Sequence, residues 1–446
     1  MKITVTGAGY VGLVTSVCLA ELGHQVITTD IQKEKIEMLQ NGISPIYEPG
    51  LPSLLEKNLG NGRLRFTMDP DLAYSDAEII FIAVGTPETD NGSIDLKYLY
   101  VAAFTIAHHI ENDVVICTKS TVPVGTNDII HQIINSRKPD NILAEVVSNP
   151  EFLREGSAVY DFFHGDRIVI GTNNPEAANI MEQLYLPLKI PILKTDLKSA
   201  EMIKYASNAF LATKISFINE IASICEKVGA NIEEVAYGMG SDKRIGFPFL
   251  QAGIGFGGSC LPKDTNALLQ LTGCNEQRFE LLEAVMKVNR RQHSLPIVKA
   301  KELLGPLQNK KAALLGLAYK PDTDDVREST SLIIAKELLE EGAYVTAYDP
   351  VATPNFQKMM GNSISYASDI PSALHGADFA IIATEWDQIK HVPLDVFSTN
   401  MKRPIIIDGR NCYSLQEVQK YPITYISVGR PAIDQKGQII KDGSLF

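Results

Sequence analysis

The stretch Gly7-Ala8-Gly9-Tyr10-Val11-Gly12 decides the fold of the first part of this chain. It fits the spacing G-x-G-x-x-G, in which one glycine makes a tight turn, one lets the backbone approach a pyrophosphate and one lets helix and strand pack closely. Alone, this spacing also occurs in ordinary strand-to-helix turns. Here a β-rich stretch, Lys2–Thr6, precedes it and a helical pattern over residues 11–22 follows. The context predicts a dinucleotide-binding unit with the pyrophosphate at a helix N-terminus.

Asp30 follows the next β-branched stretch, Gln25–Thr29. An acidic side chain at this place accepts hydrogen bonds from the adenosine ribose and repels a 2′-phosphate. It therefore predicts NAD rather than NADP as the cofactor, although Lys33 and Lys35 lie close by in the sequence.

Apolar stretches at residues 79–84, 114–118 and 145–148 continue the strand rhythm between helical segments. This alternation predicts a parallel, doubly wound sheet. A long helical pattern then runs over residues 196–228 and stops at Gly229, and another covers residues 276–304 with an interruption at Pro296.

A second strand–turn–helix–strand pattern begins at Lys310. A strand leads to Gly316, residues 329–341 are helical in pattern, and a strand over residues 343–348 ends before Asp349. The pattern echoes the N-terminal one without its second and third glycines, so it predicts a Rossmann-like domain that binds a different nucleotide, or none. The predicted α/β fold has an N-terminal Rossmann domain (residues 1–195), a central helical region (196–300) and a C-terminal Rossmann-like domain (301–446).

The length of 446 residues exceeds what one hydrophobic core normally organises. The formal net charge of −12 disfavours nucleic acid as the main partner, because phosphate binding needs a basic surface. No apolar run reaches the about 18 residues of a membrane span, and the N-terminus lacks a signal-peptide pattern. The six cysteines show no CxxC pair and no metal-ligand spacing. We expect a cytoplasmic protein with reduced thiols and no metal, membrane or nucleic-acid partner.

The segment Gly253-Ile254-Gly255-Phe256-Gly257-Gly258-Ser259-Cys260-Leu261-Pro262-Lys263-Asp264 carries the strongest chemical signal. Glycines at this density let a backbone wrap closely around a ligand. Pro262 suits the first turn of a helix, so Cys260 would lie at a helix N-terminus with Lys263 nearby, and both features favour the thiolate. Asp264 follows one helical turn later. The segment predicts a reactive cysteine; the alternative is a buried structural cysteine in a glycine loop.

Several long motifs follow one another along the chain: Gly7-Ala-Gly-Tyr-Val-Gly-Leu13, Tyr47-Glu-Pro-Gly-Leu51, Ser120-Thr-Val-Pro-Val124, Asn149-Pro-Glu-Phe-Leu-Arg-Glu-Gly156, Met202-Ile-Lys-Tyr-Ala-Ser-Asn208, Arg244-Ile-Gly246, the cysteine segment and Lys320-Pro-Asp-Thr-Asp-Asp-Val-Arg327. With these motifs in this order, the chain resembles the bacterial UDP-glucose 6-dehydrogenases, of the UDP-glucose/GDP-mannose dehydrogenase family, over essentially its whole length. The resemblance implies an NAD-binding domain, a helical dimerisation region and a nucleotide-sugar-binding domain.

The resemblance also implies a four-electron oxidation of UDP-glucose to UDP-glucuronate. The C6 alcohol loses a hydride to NAD, Cys260 traps the aldehyde as a thiohemiacetal, and a second NAD takes another hydride. The thioester that results is then hydrolysed. A thiolate is a good nucleophile towards a carbonyl, and covalent capture retains a reactive aldehyde.

The other catalytic roles rest on the same resemblance. Lys204 would stabilise the oxyanion with Asn208 nearby, Asp264 and Thr121 would position water and move protons, and Glu151 is a candidate base for the hydrolysis.

Each of these residues also has a plain structural interpretation. Lys204 could pair with Glu201 on a solvated helix face, and Asn208 could be a surface polar residue. Thr121 could be a loop or cap residue, and Glu151 and Glu155 could be first-turn helix acids.

The resemblance extends to binding residues. The residues expected to bind the cofactor are Gly7, Gly9, Tyr10, Val11, Gly12, Asp30, Lys35, Val84, Gly85, Thr86, Thr121, Glu155, Lys263 and Arg327. The residues expected to bind the nucleotide sugar are Phe152, Leu153, Lys204, Asn208, Arg244, Phe249, Leu250, Gly253, Phe256, Gly257, Lys320 and Arg410. For Arg327 the alternative is a salt bridge with Asp324, Asp325 or Glu328.

The helical middle carries more apolar residues than one buried stripe needs: Ile203, Ala206, Phe210, Leu211, Ile215, Phe217, Ile218 and Ile221. A helix that is apolar on more than one face must be buried on more than one side, which predicts a homodimer. The alternative is burial by the flanking domains of the same chain. The resemblance suggests that Arg244 reaches the partner's nucleotide sugar.

Four other functions compete. An N-acetylhexosamine branch, another group of nucleotide-sugar 6-dehydrogenases, is disfavoured because its cysteine segment usually differs. GDP-mannose 6-dehydrogenases share the mechanism and a similar cysteine segment, but Arg244-Ile-Gly246, Phe249-Leu250 and Asp408-Gly-Arg-Asn411 fit the UDP-glucose branch better. A two-electron β-hydroxyacid dehydrogenase needs no cysteine. A nucleotide-sensing module has no reason to combine Cys260, Asp264 and Lys204.

Overall fold

The computed structural model describes residues 1–89, 92–274 and 278–440. The chain divides into two compact units, Met1–Ser207 with Asn266–Asn275, and Asn208–Thr265 with Glu276–Phe446. The boundary falls inside two helices of the middle region, α9 and α11, whose bounds are given below. The three-part division at residues 195 and 300 stays a prediction.

The first unit is built on a sheet that contains, among the described residues, eight strands in the order β3-β2-β1-β4-β5-β6-β7-β8. They are β1 Lys2–Thr6, β2 Gln25–Thr29, β3 Leu64–Thr67, β4 Ile79–Ile82, β5 Val114–Thr118, β6 Ala144–Ser148, β7 Ile168–Gly171 and β8 Ile192–Thr195. All neighbouring pairs are parallel except β6 and β7. The order reverses between β1 and β4, as the predicted doubly wound sheet requires.

Helices cover both faces of this sheet. They are α1 Tyr10–Glu21, α2 Lys33–Gln40, α3 Leu51–Gly60, α4 Pro70–Tyr74, α5 Lys97–His109, α6 Thr126–Asn135, α7 Ala158–His164 and α8 Pro175–Tyr185, followed by a 3₁₀ turn at Leu186–Leu188. Two apolar clusters form the core. α8 begins where it does because Asn174 accepts from two backbone N–H groups, and Pro175 fits the first turn.

The middle of the chain is helical: α9 Leu197–Val228, α10 Ile232–Gly240, α11 Leu261–Cys274, α12 Glu280–His293 and α13 Leu295–Leu304. α9 ends at Gly229, whose φ of 72° is the left-handed conformation that terminates helices. The predicted interruption at Pro296 is confirmed, because a new helix starts there with the proline in its first turn. Residues 275–277, at the start of the predicted segment 276–304, lie outside the described residues.

The sheet of the second unit contains, within the described ranges, eight strands in the order β11-β10-β9-β12-β13-β14-β15-β16. They are β9 Lys311–Leu315, β10 Tyr344–Tyr348, β11 Ser365–Tyr366, β12 Phe379–Ile382, β13 Ile405–Asp408, β14 Thr424–Ser427, β15 Ala432–Ile433 and β16 Ile439–Ile440. The pairs from β11 to β14 are parallel and the last two are antiparallel. The remaining helices are α14 Thr330–Glu340, α15 Thr353–Met360, α16 Ile370–Leu374, α17 Asp387–Lys390, α18 Leu394–Asn400 and α19 Leu415–Val418.

The two units repeat one local design. Gly7 ends β1 with a φ of 101° and Gly316 ends β9 with a φ of 89°. In each case the carboxylate after the next strand accepts from the turn: Asp30 from the Ala8 N–H at 2.8 Å and Asp349 from the Leu317 N–H at 2.7 Å. The predicted fold class, with two Rossmann-like sheets and a helical middle, is confirmed. No helix in the described ranges combines the length and the apolar character needed to span a bilayer.

Candidate active site

The glycine turn of the first unit fits a dinucleotide. A Cβ on Gly7 would lie 2.6 Å from the Ala83 carbonyl oxygen, and one on Gly12 would lie 1.9 Å from the Gly7 carbonyl oxygen, so close packing demands both glycines. Around Gly9, by contrast, the described residues leave an added Cβ without contacts within 4 Å. The backbone is therefore open where α1 begins at Tyr10, and its first N–H groups can receive a phosphate.

Asp30 is largely buried at the end of β2. Its Oδ2 accepts from the Ala8 N–H and from Lys35 Nζ at 3.3 Å, and its Oδ1 accepts from the Gln32 N–H at 2.9 Å. Lys33 instead points to Glu37, 3.6 Å away. Of the two nearby lysines, only Lys35 thus contacts the carboxylate that is expected to bind the ribose.

The loops after β4 and β5 are tied together. Ser120 Oγ donates to the Val84 carbonyl at 2.7 Å, and Thr86 Oγ1 donates to the Thr121 carbonyl at 3.1 Å. Gly85 lies between Val84 and Thr86 in the loop after β4, and a Cβ added there would have no atom of the described residues within 4 Å. Thr121 itself lies in a loop, as its plain structural interpretation has it.

Two side chains of α9, Lys204 and Glu201, form buried polar contacts in the first unit. Lys204 Nζ donates to Glu151 Oε1 at 2.8 Å, and both side chains are almost fully buried. Burial raises the pKa of the Glu151 carboxyl, but the Lys204 ammonium, the Leu153 N–H and the Lys119 ammonium together outweigh it, and the net pKa lies below its usual range. The alternative, a Lys204–Glu201 pair on a solvated face, is wrong. Glu201 is also buried, and its carboxylate accepts from the Gly125 and Asn127 backbone N–H groups at 2.6 and 2.8 Å.

The segment after β6 is a loop, so the alternative of Glu151 and Glu155 as first-turn helix acids is wrong: α7 begins only at Ala158. Glu151 Oε2 accepts from the Leu153 N–H at 2.6 Å. The Phe152 ring lies 3.7 Å from the Arg167 guanidinium carbon. The loop thus presents a carboxylate and an aromatic ring, and Arg167, from the segment before β7, lies against the ring.

Glu48 ties this loop to the glycine turn. Its buried carboxylate accepts from the Tyr10 hydroxyl and from the Gly156 and Val159 N–H groups, the last two at 2.7 and 3.2 Å. The sequence motif around Glu48 was recognised, but its role was not predicted.

In the second unit, Cys260 is half-buried and immediately precedes α11. Its carbonyl accepts from the Asp264 N–H at 2.9 Å, and Pro262 lies in the first helical turn as predicted. Asp264 is buried, with its Oδ2 accepting from Asn208 Nδ2 at 2.6 Å. Lys263 Nζ lies 3.0 Å from Asp264 Oδ1, an ionic contact without hydrogen-bond alignment. Asn208 is therefore no surface residue.

The glycines before Cys260 are required by close approach. A Cβ on Gly253 would lie 2.9 Å from the Gly409 carbonyl oxygen, and one on Gly257 only 2.0 Å from the Glu328 carbonyl oxygen. Gly258 has a φ of 84° and would contact the Tyr319 ring at 2.6 Å.

Amide side chains clamp this glycine segment. Asn219 Oδ1 accepts from the Gly253 N–H at 2.9 Å and Gln292 Nε2 donates to the Gly253 carbonyl at 2.8 Å. Asn289 holds both backbone groups of Phe256, at 2.8 and 2.9 Å. These three amides were missed, since a polar residue in a helical pattern gives no signal of its distant partner.

Arg410 also reaches the glycine segment, because its Nη1 donates to the Gly255 carbonyl at 3.2 Å. The buried Asp408 positions it by accepting from the Arg410 N–H and from the Tyr425 hydroxyl at 2.9 and 2.7 Å. Leu250 is buried beside the left-handed Phe249, whose φ is 66°.

Of the other expected ligand residues, Arg244 and Arg327 are exposed and Lys320 is half-buried. The Arg244 side chain is 89% exposed and pairs with Asp242 at 2.6 Å. Arg327 pairs with Asp325 at 2.7 Å, which confirms one of its alternative interpretations. Lys320 Nζ lies 5.4 Å from the centre of the Tyr319 ring.

Sequence models of one family match most of the chain. The UDP-glucose/GDP-mannose dehydrogenase family matches with its NAD binding domain at residues 1–189, its central domain at residues 198–291 and its UDP binding domain at residues 313–415. The first match confirms NAD as the cofactor.

Individual proteins agree. The UDP-glucose 6-dehydrogenase YwqF of Bacillus subtilis is 53% identical over 98% of this chain and all of its own length. The UDP-glucose 6-dehydrogenase TuaD of the same organism is 49% identical over 97% of this chain and 94% of its own. A UDP-glucose dehydrogenase structure from Pyrobaculum islandicum superimposes with a TM-score of 0.90, at 38% identity, covering 96% of this chain and 98% of that one. This chain belongs to the UDP-glucose/GDP-mannose dehydrogenase family.

Proposed function

We propose that this enzyme oxidises the C6 alcohol of UDP-glucose to the carboxylate of UDP-glucuronate through a covalent intermediate on Cys260. One observation carries the proposal: Cys260 lies at the N-terminus of α11 with Lys263 and Asp264 in the first turn. A helix N-terminus and a lysine both stabilise a thiolate. The names of the two Bacillus subtilis relatives support the substrate.

The chemistry balances over two oxidations. The primary alcohol loses a proton and a hydride and becomes an aldehyde, with NAD as the hydride acceptor when bound. The Cys260 thiolate adds to the aldehyde carbon, and the resulting oxyanion takes up a proton to give a thiohemiacetal. The thiohemiacetal loses a proton and a second hydride and becomes a thioester. Water then adds to the thioester carbon, releasing the carboxylate, the Cys260 thiol and a proton. Each turnover consumes one UDP-glucose, one water and two NAD.

The buried polar pairs supply proton transfer and charge stabilisation in this proposal. Glu151, held as a carboxylate by Lys204, acts as a base, and the Lys204 ammonium stabilises the oxyanion. Asp264, hydrogen-bonded by Asn208, positions water with Thr121. In both pairs the buried carboxylate has a donor close enough to fix its orientation.

Binding of the nucleotide sugar is assigned to the glycine segment and its surroundings. Glycines with no room for a Cβ offer bare backbone groups to a ligand. Lys320 and Arg410 are the counter-charges for the diphosphate. Phe152, Leu153, Phe249, Leu250 and Phe256 complete the contacts. Tyr10, Val11, Val84, Gly85, Thr86, Glu155, Lys263 and Arg327 are assigned to NAD.

The working unit proposed is a homodimer in the cytoplasm. Phe210, Phe217 and Ile224 are spaced by seven residues on α9 and are 65%, 49% and 54% exposed, an apolar stripe suited to a second copy. Cys18, Cys117, Cys225 and Cys412 are in no disulfide bond, which suits a reducing compartment.

The test is stoichiometry. Purified enzyme with a limiting nucleotide sugar should form two NADH for each UDP-glucuronate, with no free aldehyde. One NADH per sugar would rule out the thioester route. Faster oxidation of GDP-mannose than of UDP-glucose would move the enzyme to the alternative branch.

Variants locate the nucleophile. Cys260→Ala should lower turnover by about 10³-fold or more while UDP-glucose binding stays within a few-fold. Cys225→Ala, the matched control at a buried cysteine of α9, should keep turnover. An active Cys260→Ala enzyme would refute the assignment.

A further inference from the structure

Lys119 is a second buried lysine in the first unit, immediately after β5, and the catalytic assignments above do not use it. Its side chain is almost fully enclosed, and its Nζ donates to Asn149 Oδ1 at 3.2 Å. Asn149 is itself fixed, because it accepts from the Tyr185 hydroxyl at 2.6 Å and donates to the Val169 carbonyl at 2.7 Å. The ammonium is therefore held in one place.

Lys119 and Glu151 line the same cavity, whose volume is about 50 Å³. The cavity exceeds the about 10–15 Å³ that one water molecule needs. Its lining is mixed, with apolar residues beside charged and hydroxyl-bearing ones: Lys119, Asn149, Pro150, Glu151, Phe152, Leu153, Phe162, Arg167, Ile168, Tyr185 and Leu188. Both side chains are buried, so the ammonium and the carboxylate act on each other across a small space with less screening than in bulk water.

Two ammonium groups act on the Glu151 carboxylate, those of Lys204 and Lys119. In the proposed reaction the Lys204 ammonium also serves the substrate oxyanion, so it is shared during turnover. Burial favours the neutral acid, and both Lys204 and Lys119 oppose this by lowering the pKa of Glu151. The net pKa of Lys119 lies below its usual value, because burial and the nearby Lys204 ammonium outweigh the opposing effects of Cys117 and Glu151.

Two further titratable groups line the cavity. Arg167, above the Phe152 ring, is a third cation, and the Tyr185 phenol stays neutral because burial raises its pKa. Of the three cations, only Lys119 is both buried and bonded away from the proposed substrate contacts.

We propose that Lys119 is a positioning residue that keeps Glu151 ionised, and hence competent as a base, throughout the reaction. The inference rests on the proposed role of Glu151. It adds a residue whose charge acts on the carboxylate without touching the substrate.

The test is the pH profile of kcat. Lys119→Met should move the acid limb to higher pH by about one unit or more, so that kcat falls about tenfold on the acid side and recovers at alkaline pH. Lys119→Arg should return the acid limb of the kcat profile to the pH at which the unmodified enzyme shows it. Lys119→Gln, which keeps a donor for Asn149, should shift it like Lys119→Met and serves if the methionine variant does not fold.

Lys299→Met is the matched control. Lys299 is equally buried but lies in the second unit, bonded to Glu226 at 2.7 Å and to the Ser427 carbonyl at 3.0 Å. Its loss should leave the acid limb in place. A folded Lys119→Met or Lys119→Gln enzyme with an unmoved limb would overturn the inference.

A direct readout separates this failure from failure of the proposed function. Infrared titration, with Glu151→Gln subtracted, reports protonation of Glu151 without turnover, and the protonated band should appear at higher pH in Lys119→Gln. If Glu151→Gln keeps full activity, the base assignment fails and the inference falls with it. If the infrared band does not move, only the role of Lys119 fails.

Discussion

At the residue scale, we propose that the carboxylate of Asp30 sets the choice between NAD and NADP. Asp30 accepts three hydrogen bonds from described residues, and a carboxylate offers about four acceptor sites, so one remains for a ribose hydroxyl. A 2′-phosphate would meet the same negative charge at close range. Among the described residues, the half-buried Lys35 partly offsets that charge.

We therefore expect NAD to be preferred over NADP by at least about tenfold in kcat/KM. Asp30→Ala should reduce the preference for NAD over NADP, mainly by weakening the binding of NAD. Lys35→Ala, which leaves the carboxylate, should widen it. Steady-state kinetics with both cofactors decide the matter, and equal use of NAD and NADP by the unmodified enzyme would show that Asp30 does not contact the ribose.

At the scale of elements, the glycine segment before α11 packs so closely that it leaves no room for a Cβ atom at Gly257. Gly257 has no positive φ, so its requirement is purely steric, with the Glu328 carbonyl oxygen only 2.0 Å from an added Cβ. Because that neighbour is backbone, relief needs a shift of the loop after β9.

We expect Gly257→Ala to lower the free energy of unfolding by at least about 3 kcal/mol and to raise the KM for UDP-glucose. Gly60→Ala is the control, since it lies in α3 and an added Cβ there meets no described atom within 4 Å. Urea denaturation and steady-state kinetics measure both effects. Equal free energies of unfolding for the two variants would show that the glycine segment shifts to accept a Cβ at Gly257 without losing stability.

The elements themselves were largely predictable. β1, β2 and β5 have the predicted bounds because they are runs of β-branched and apolar residues that are mostly buried, and α9 was recognised by its length and its glycine stop. Periodicity and turn chemistry are local properties, so sequence reveals them.

The partners of the site residues were less predictable. Cys260, Pro262 and Asp264 are neighbours in sequence, and their arrangement at a helix start follows from that. The partner of Lys204, Glu151, is 53 residues away, and Glu201 lies nearer in sequence yet bonds to the loop before α6. Such choices depend on which strands and helices become neighbours, which a single sequence leaves open.

At the scale of the whole molecule, assembly is the central prediction. The stripe formed by Phe210, Phe217 and Ile224 exposes large apolar surface on one face of α9. Phe217→Lys should convert the dimer to monomers in sedimentation analysis. Tyr160→Lys, an exposed aromatic residue of the first unit, should not. A monomeric unmodified enzyme would contradict the assignment.

Arg244 tests whether the dimer is needed for the chemistry. Its exposed guanidinium contacts only Asp242 among the described residues. Mixing Arg244→Ala with Cys260→Ala subunits should restore part of the activity if the arginine serves the partner. In such a heterodimer one site carries both defects and the other carries neither. No recovery, with subunit exchange shown directly, would place Arg244 in its own subunit's site or outside it.

The hydrogen bonds of the Asp349 carboxylate bear on how many NAD molecules one chain binds. It accepts from the Leu317, Ala318, Val351 and Ala352 N–H groups and from the Trp386 indole. Five donors saturate an acceptor with about four lone-pair sites, so the counterpart of Asp30 is closed to a ribose hydroxyl. The second Rossmann-like sheet thus has the architecture of a dinucleotide-binding domain but no acceptor site on Asp349 left for a ribose hydroxyl. Calorimetric titration with NAD should therefore saturate at one equivalent per chain, although the fold is present twice.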